Sequence, residues 1–250
     1  MQWSFPIARI AGSEVRIHVT FFLLLLWIGI AHFQNGGGAA AAEGVAFIVA
    51  VFTCVVLHEF GHAIAARRYG IGTPRITLLP IGGVAELERM PEKPSEEIVV
   101  ALAGPAVNVV IAAVLILVIG AQVDGQTLSA MENPAQGFWA RLAAVNVVLV
   151  LFNLIPAFPM DGGRVLRALL ATRYPRVRAT EIAGTVGQIA AFLFGFLGLI
   201  GGNPLLIFVA IFVYLAASAE TQAIGLQDAA RAFSVEETMI VRYETLGPAS

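Results

Sequence analysis

The stretch VAFIVAVFTCVVLHEFGHAIAA occupies residues 45–66 and ends against Arg67 and Arg68. About 20 consecutive apolar residues are enough for an α-helix to cross the hydrocarbon core of a bilayer. The composition agrees, because 58% of the 250 residues are hydrophobic and only 13% are charged, whereas a soluble domain carries about 25% charged residues. A soluble globular protein and a disordered chain are therefore excluded, and a single cysteine excludes a disulfide scaffold.

Five further apolar stretches accompany this one along the chain. They occupy residues 17–33, 98–121, 139–155, 182–200 and 205–219. The pattern predicts an all-α polytopic membrane protein with six transmembrane helices and a short membrane-associated β-like loop, residues 75–85, between helices two and three. For the first stretch a cleaved signal peptide is the alternative, because residues 39–42 supply small side chains for a cleavage site.

The positive residues predict the orientation. With the N-terminus in the cytoplasm and six crossings, the cytoplasmic side receives 14 of the 15 Lys and Arg residues, all except Arg141. Because positive residues are enriched in cytoplasmic loops, both termini are predicted to be cytoplasmic. The net charge of −2 offers no basic excess for binding nucleic acid.

The second span contains the motif His58-Glu59-Phe60-Gly61-His62. Residues four apart lie on one face of a helix, about 6 Å apart along its axis, so His58 and His62 can bind one Zn²⁺ while Glu59 reaches a neighbouring water. Glu59 lies about 12 Å inside the Arg67 end of the span, where an ionisable side chain is costly and usually functional. The alternative is that neighbouring helices simply satisfy these polar side chains.

A catalytic zinc site needs a third protein ligand and an open position. Asp161 is a candidate because it follows a membrane segment broken by two prolines and precedes a glycine pair that permits close approach of another backbone. A helix N-cap for residues 162–170 is the alternative role for this aspartate. The weaker candidates are His18, His32 and Cys54. For the cysteine, a buried and inert thiol is the simpler interpretation.

Together, HEFGH and the later NLIPAFPMDGG (residues 153–163) resemble the site-2 protease family of intramembrane zinc metalloproteases. The resemblance covers essentially the whole hydrophobic region and is most specific over residues 58–164. It implies that His58, His62 and Asp161 bind one zinc ion per chain and that Glu59 is the catalytic acid/base.

The resemblance also extends to GPAVN (residues 104–108) and to the loop before it. It implies that Asn108 and Asn153 line the site, near the substrate peptide or the reacting carbonyl, although the residues alone favour helix–helix hydrogen bonds. In the loop, an unpaired strand edge beside Gly82 and Gly83 would take up an unfolded substrate segment by β-addition. A surface hairpin that turns at these two glycines is the alternative.

Two regions are predicted along the chain, a membrane-embedded protease domain over residues 1–222 and a cytoplasmic tail over residues 223–250. Within the tail, FSVEETMIVRYETL (residues 233–246) resembles the opening of a CBS domain. The start of a truncated CBS domain and a natural amphipathic tail are both open interpretations. Nucleotide sensing is expected only if a full CBS domain follows.

The resulting hypothesis is zinc-dependent hydrolysis of a peptide bond in or near the transmembrane segment of a membrane-protein substrate, as in regulated intramembrane proteolysis. The expected partners are the lipid bilayer and that substrate, with no nucleic acid. The family implies a prokaryotic inner membrane and a membrane-tethered regulator as substrate. A transporter and an inactive metal-binding scaffold are alternatives, but no inverted repeat is evident, and a scaffold needs no Glu59 beside the metal.

Overall fold

The computed structural model describes residues 3–91, 93–129, 131 and 133–232, and the segment that resembles a CBS domain lies outside them. The strands are β1 (Ser4–Ile10), β2 (Ser13–His18), β3 (Arg75–Leu79) and β4 (Gly82–Glu86). The helices are α1 (Val19–Arg67), α2 (Pro94–Leu117), α3 (Gly125–Ser129), α4 (Phe138–Asn153), α5 (Asp161–Leu170), α6 (Arg176–Ile200) and α7 (Pro204–Ala232), with a 3₁₀ turn over Pro134–Gln136.

Four of the described helices, α1, α2, α6 and α7, are long and apolar enough to cross a membrane. Helix α1 is 49 residues long, but its backbone leaves helical geometry at Gly36 and Gly37. Gly37 has φ 71°, a left-handed conformation that glycine adopts without a steric penalty. This kink divides α1 into two apolar segments that run back along each other. Helix α4 is apolar but has only 16 residues. The mostly helical membrane architecture is thereby confirmed.

A four-stranded sheet in the order β1-β2-β3-β4 accompanies the helices. Strands β2 and β3 are parallel, and the two flanking pairs are antiparallel. The hairpin β3–β4 occupies the predicted β-like loop, but Leu79 pairs with Gly82, so the turn lies at residues 80–81. The alternative of a turn at Gly82 and Gly83 is wrong, since both belong to β4. Strands β1 and β2 were not predicted, because they are short and precede a dominant apolar stretch.

Helix α2 lies at the centre of the bundle and packs against α1, α4 and α5. Helices α6 and α7 pack against each other, and α6 also packs against α5. The sheet packs against the second segment of α1. There, Val15 and Ile76 enclose Phe60, and further along the helix Leu78 packs with Phe21 and Phe52. The sheet therefore lies beside the part of α1 that carries the HEFGH motif.

Two glycines allow the chain to turn back between α4 and α5. A Cβ atom on Gly162 would lie 2.3 Å from the carbonyl oxygen of Ile155, and one on Gly163 would lie 2.5 Å from the carbonyl carbon of Ala157. Only glycine permits this approach. The turn makes Asp161 the first residue of α5, with Met160 as the N-cap. The alternative role of Asp161 as a helix N-cap is therefore wrong, and its side chain is available for another contact.

Candidate metal centre

Two residues of α1 and the first residue of α5 form a buried cluster, which we call the metal-ligand cluster: His58, His62 and Asp161. The Nε2 atom of His58 lies 3.1 Å from Nε2 of His62 and 3.1 Å from Oδ2 of Asp161, and His62 Nε2 lies 3.2 Å from the same carboxylate oxygen. The histidines come from successive turns of one helix, as their spacing predicts. The aspartate reaches them through the packing of α5 against α2.

The other ring nitrogens of the two histidines show which atoms carry protons. His62 Nδ1 lies 2.7 Å from the carbonyl oxygen of Val100, which can only accept, so Nδ1 is the donor. His58 Nδ1 donates in the same way to Oδ1 of Asn108 at 2.5 Å. In the neutral rings both Nε2 atoms then carry a lone pair, and both lone pairs face a carboxylate oxygen. Two imidazole nitrogens and one carboxylate oxygen, all of them electron-pair donors, therefore converge on one point, and such a set of atoms binds a cation.

The distances within the metal-ligand cluster suit zinc. Zn²⁺ binds imidazole nitrogen at about 2.0–2.1 Å and carboxylate oxygen at about 2.0–2.2 Å, usually as a tetrahedron. The edge of such a tetrahedron is about 3.3 Å, computed from those bond lengths. The observed separations of 3.1–3.2 Å are close to that edge. The three ligand atoms therefore have the spacing of one face of such a tetrahedron.

Two buried asparagine side chains form a hydrogen-bonded chain that begins at Nδ1 of His58. Asn108 accepts from His58, and its Nδ2 donates to Oδ1 of Asn146 at 2.8 Å. Asn146 in turn donates to the carbonyl oxygen of Leu142 at 2.8 Å and to the sulfur of Cys54 at 3.4 Å. Both asparagines are fully buried. Sequence reasoning missed Asn146, although a lone amide inside an apolar helix was a signal that could have found it.

Helix α2 approaches the metal-ligand cluster through a glycine. A Cβ atom on Gly104 would lie 2.2 Å from Nε2 of His62 and 2.7 Å from Nε2 of His58. Next to it, a Cβ on Gly61 would lie 2.6 Å from the carbonyl oxygen of Ala103. The two helices therefore touch backbone to backbone at the level of the cluster. Any larger residue at position 104 would enter the space between the histidines.

Glu59 lies at the boundary between the cluster and the sheet. Its side chain is half-buried, and a Cβ on Gly83 would lie 2.7 Å from its Cγ and 3.1 Å from its Oε1. Gly83 belongs to β4, which has no strand on its outer side among the described residues. The side chain of Glu59 therefore packs against β4, the outermost described strand of the sheet.

The remaining candidate side chains do not join the cluster. Asn153 donates to the carbonyl oxygen of Leu149 one turn back on its own helix. His18 caps the start of α1 by accepting from the backbone N–H of Thr20, and His32 contacts the carbonyl oxygen of Ile28. Cys54 is buried and accepts from Asn146, which agrees with a structural thiol.

A buried ion network, which the sequence did not reveal, holds α5 in place. Arg167 is completely buried, and its Nε and Nη2 both donate to one carboxylate oxygen of Glu97 in α2, the former at 2.7 Å. Its Nη1 donates to Glu220 in α7 at 3.1 Å. Because α5 begins with Asp161, this network also helps to place the third ligand of the cluster.

Comparisons with known proteins agree with this geometry. A family model described as peptidase family M50 matches residues 46–131 and 120–194, more than half of the chain. The chain is 37% identical over 228 residues to the zinc metalloprotease MJ0392 of Methanocaldococcus jannaschii, covering 91% of this chain and 63% of that protein. It is 32% identical over 266 residues to Rip3 of Mycobacterium tuberculosis, covering 98% and 65%. The chain thus spans just under two thirds of the length of these relatives.

The fold is also similar to a solved structure. The site-2 protease from Methanocaldococcus jannaschii superposes with a TM-score of 0.64 at 33% sequence identity. The match covers 98% of this chain and 100% of that one. The likeness therefore includes the sheet and the helices that carry the metal-ligand cluster.

Proposed function

The chain belongs to peptidase family M50, and from this membership we propose that it is an intramembrane zinc metalloprotease. It hydrolyses a peptide bond in or near the transmembrane segment of a membrane-protein substrate. The observation that carries the proposal is the convergence of two imidazole nitrogens and one carboxylate oxygen inside an apolar helix bundle. Glu59 is the residue next to His58 in the chain. A metal carrier or scaffold has no need of that glutamate.

His58, His62 and Asp161 hold one zinc ion per chain. When bound, zinc polarises the scissile carbonyl and makes water a nucleophile at neutral pH. Asn108 and the carbonyl oxygen of Val100 keep the proton of each imidazole on Nδ1, so that both Nε2 atoms remain ligands.

Glu59 acts as the proton carrier of the reaction. Its carboxylate takes a proton from the attacking water, holds it, and delivers it to the amine that leaves when the peptide bond breaks. The contact with Gly83 supports this role, because it limits where the carboxylate can point. A base must lie within hydrogen-bond reach of the proton it removes, and Glu59 adjoins the first ligand in the sequence.

The two asparagines have different roles in this proposal. Asn108 positions His58, because its Oδ1 faces the imidazole and its Nδ2 is bonded to Asn146. Asn153 remains the candidate for a direct contact with the substrate or the reacting carbonyl. It is partly exposed and ends α4, just before the broken segment that leads to Asp161.

The substrate reaches the site as an extended strand. A helical peptide keeps its carbonyls in hydrogen bonds, so it must unwind before attack. The outer edge of β4 offers backbone groups to a new strand, and Gly83 brings that edge against Glu59. Gly82 and Gly83 are therefore proposed to present the unwound segment to the catalytic residues.

The proposed topology has six crossings with both termini in the cytoplasm of a prokaryotic cell, at its inner membrane. The two segments of α1 together with α2, α4, α6 and α7 supply six apolar segments. Arg141, the one positive residue predicted on the far side, is buried, and it pairs with Glu43 at 3.1 Å. The protease domain is proposed to comprise residues 1–222, although α7 continues to Ala232, so the boundary falls inside a helix.

Metal content tests the first half of the proposal without a substrate. Elemental analysis of detergent-purified wild type is expected to give about one zinc per chain, with loss in both His58→Ala and Asp161→Ala. Zinc retained in Asp161→Ala would refute the third ligand. No zinc in wild type, even after reconstitution with Zn²⁺, would refute the metal site.

Cleavage tests the second half. Wild type and Glu59→Gln are reconstituted in proteoliposomes with a panel of single-span reporter proteins. We expect wild type to cut and Glu59→Gln to keep its zinc but lose cleavage. Glu181→Gln, on the exposed surface of α6, is the control and should cut normally. Wild-type turnover in Glu59→Gln would refute its role, and zinc without cleavage throughout the panel would favour a metal-binding scaffold.

A further inference from the structure

One arginine beside the metal-ligand cluster has no role in the proposed chemistry. Arg164 is the fourth residue of α5 and comes three residues after Asp161. Its side chain is half-buried, yet it forms no hydrogen bond or ion pair with any residue that the structure describes. A guanidinium that loses water without gaining a partner is costly, because all its N–H groups are donors. A donor-rich side chain is therefore left without an acceptor near the cluster.

This lack of a partner distinguishes Arg164 from the other arginines that are buried or half-buried. Each of those donates to an oxygen atom of the protein: Arg16 to Ser4, Arg141 to Glu43, Arg167 to Glu97 and Arg176 to Pro91. Within the described part of the chain, the other arginines without a partner are all exposed, namely Arg9, Arg68, Arg89 and Arg173. The acceptor of Arg164 is therefore expected to come from outside the chain.

Helix geometry directs Arg164 toward the metal-ligand cluster. Side chains three residues apart share a helix face, with Cβ atoms about 5–6 Å apart, so Arg164 lies on the same face of α5 as Asp161. Long side chains in a helix point back toward its N-terminus and cover the preceding turn, which here begins with Asp161. The charge of Arg164 is close enough to act electrostatically on that carboxylate. Asp161 does not take up the guanidinium, since its Oδ2 faces the two imidazoles.

We propose that Arg164 is a catalytic residue that donates hydrogen bonds to the scissile carbonyl oxygen of the substrate, an inference that rests on the proposed protease function. When the water deprotonated by Glu59 attacks the carbonyl carbon, the electron pair of the C=O π bond moves onto the oxygen. Arg164 stabilises this negative charge and keeps its own protons, because a guanidinium does not ionise in proteins. The carbonyl forms again when the C–N bond breaks, and the proton held by Glu59 passes to the leaving amine.

Two other partners for this guanidinium agree less well with the structure. A lipid headgroup would draw the side chain outward, as for the exposed arginines, whereas Arg164 is half-buried. A purely structural role would show as an ion pair, as it does for Arg167 and Glu97. A charged oxygen also binds a guanidinium more strongly than a neutral carbonyl does. The contribution of Arg164 should therefore fall on the transition state, and hence on kcat.

Steady-state cleavage tests the proposal in the full chain. Wild type, Arg164→Gln and Arg164→Lys are reconstituted in proteoliposomes with single-span reporter proteins. We expect Arg164→Gln to lower kcat by about 10²–10³-fold, with KM and zinc content close to wild type. Arg164→Lys keeps the charge but not the planar donor group, so it should recover part of the rate. Arg173→Gln is the matched control, since it removes an exposed arginine soon after α5, and it should cut like wild type.

Binding of a blocked dipeptide phosphinate gives a second measurement, which needs no turnover. The phosphinate group is a tetrahedral anion that stands where the scissile carbonyl would lie, so it carries the charge that Arg164 is proposed to meet. We expect Arg164→Gln to weaken its binding by about 10–100-fold, measured by calorimetry on zinc-loaded protein in detergent. Zinc affinity, measured by competition with a chelator, should not change.

Wild-type kcat or wild-type phosphinate affinity in folded Arg164→Gln would overturn the inference. A parallel loss of zinc affinity would also overturn it, because Arg164 would then act through Asp161, and so would a rise in KM alone. If wild type binds zinc but cuts no reporter, the proposed function fails, and the phosphinate titration still decides: weaker binding in Arg164→Gln supports the contact, and equal binding refutes it. If Arg164→Gln does not fold, the smaller losses expected in Arg164→Lys provide the same measurements.

Discussion

Replacing Gly104 by alanine should destroy the metal site while leaving the helix bundle largely intact. The added Cβ would lie 2.2 Å from Nε2 of His62 and 2.7 Å from Nε2 of His58. A point so close to both nitrogens falls within the volume that a bound ion needs, because Zn–N bonds are about 2.0–2.1 Å long. Rotating one imidazole cannot relieve both contacts.

The size of the effect follows from the distances. Non-bonded atoms settle at about 3.5 Å, so α2 would have to withdraw by about 1.3 Å from His62. Metal sites tolerate ligand displacements of only about 0.2 Å. We therefore expect zinc affinity to fall by more than about 100-fold, the upper end of the loss that follows removal of a supporting group around the ligands.

The assay is competition for zinc between the purified protein and a chromogenic chelator, with helical circular dichroism as the check on folding. Gly29→Ala in α1 is the matched control, since its Cβ would lie 3.5 Å from a methyl carbon of Val45, which is an ordinary van der Waals distance. We expect the control to bind zinc like wild type. A folded Gly104→Ala protein with wild-type zinc affinity would refute the close approach of α2 and the position of the metal.

Two other substitutions test the supporting contacts. Asn108→Ala removes the acceptor of an imidazole N–H and should weaken zinc binding by about 10–100-fold, measured with the same chelator; Asn153→Ala, whose hydrogen bond stays within its own helix, should not, and equal losses in both would contradict the positioning role. Arg167→Met leaves the buried carboxylate of Glu97 without its partner and should cost about 3–5 kcal/mol in the free energy of unfolding, measured by titration with dodecyl sulfate. Arg178→Met is the control, because Arg178 pairs with Glu181 one turn away on the exposed surface of α6, and it should cost less than about 1 kcal/mol. A similar loss of stability in both arginine variants would show that burying the ion network adds nothing to the free energy of unfolding.

Residues that are close in the chain were predictable from the sequence. His58 and His62 share a helix face because the helical period places residues four apart together, and that period is a property of the local backbone. The apolar stretches predicted the helices in the same way, since the cost of leaving backbone groups unpaired in lipid forces them into helices. Asp161 could be found because prolines and glycines around it broke an otherwise apolar stretch.

Contacts between distant parts of the chain were decided by the tertiary structure. Asn146 lies 38 residues from Asn108, and Arg167 lies 70 residues from Glu97. No local pattern reports such a distance, because which polar side chains meet depends on how whole helices pack. Likewise, the sequence did not predict β1 and β2, since short strands gain their hydrogen bonds only from partners elsewhere in the chain.

The sequence by itself therefore determined the membrane-spanning character and the shared helix face of His58 and His62, because helical periodicity and hydropathy act over one or two turns. It left Asp161 open between a metal ligand and a helix N-cap, and tertiary packing brings its carboxylate to 3.1–3.2 Å from the two imidazole nitrogens. Only the tertiary structure decided that Gly104 leaves room for an ion and that Gly83 lies against Glu59. It also decided that two buried asparagines orient the first histidine. These features exist only when separate helices and strands touch, and the energy of close packing selects them.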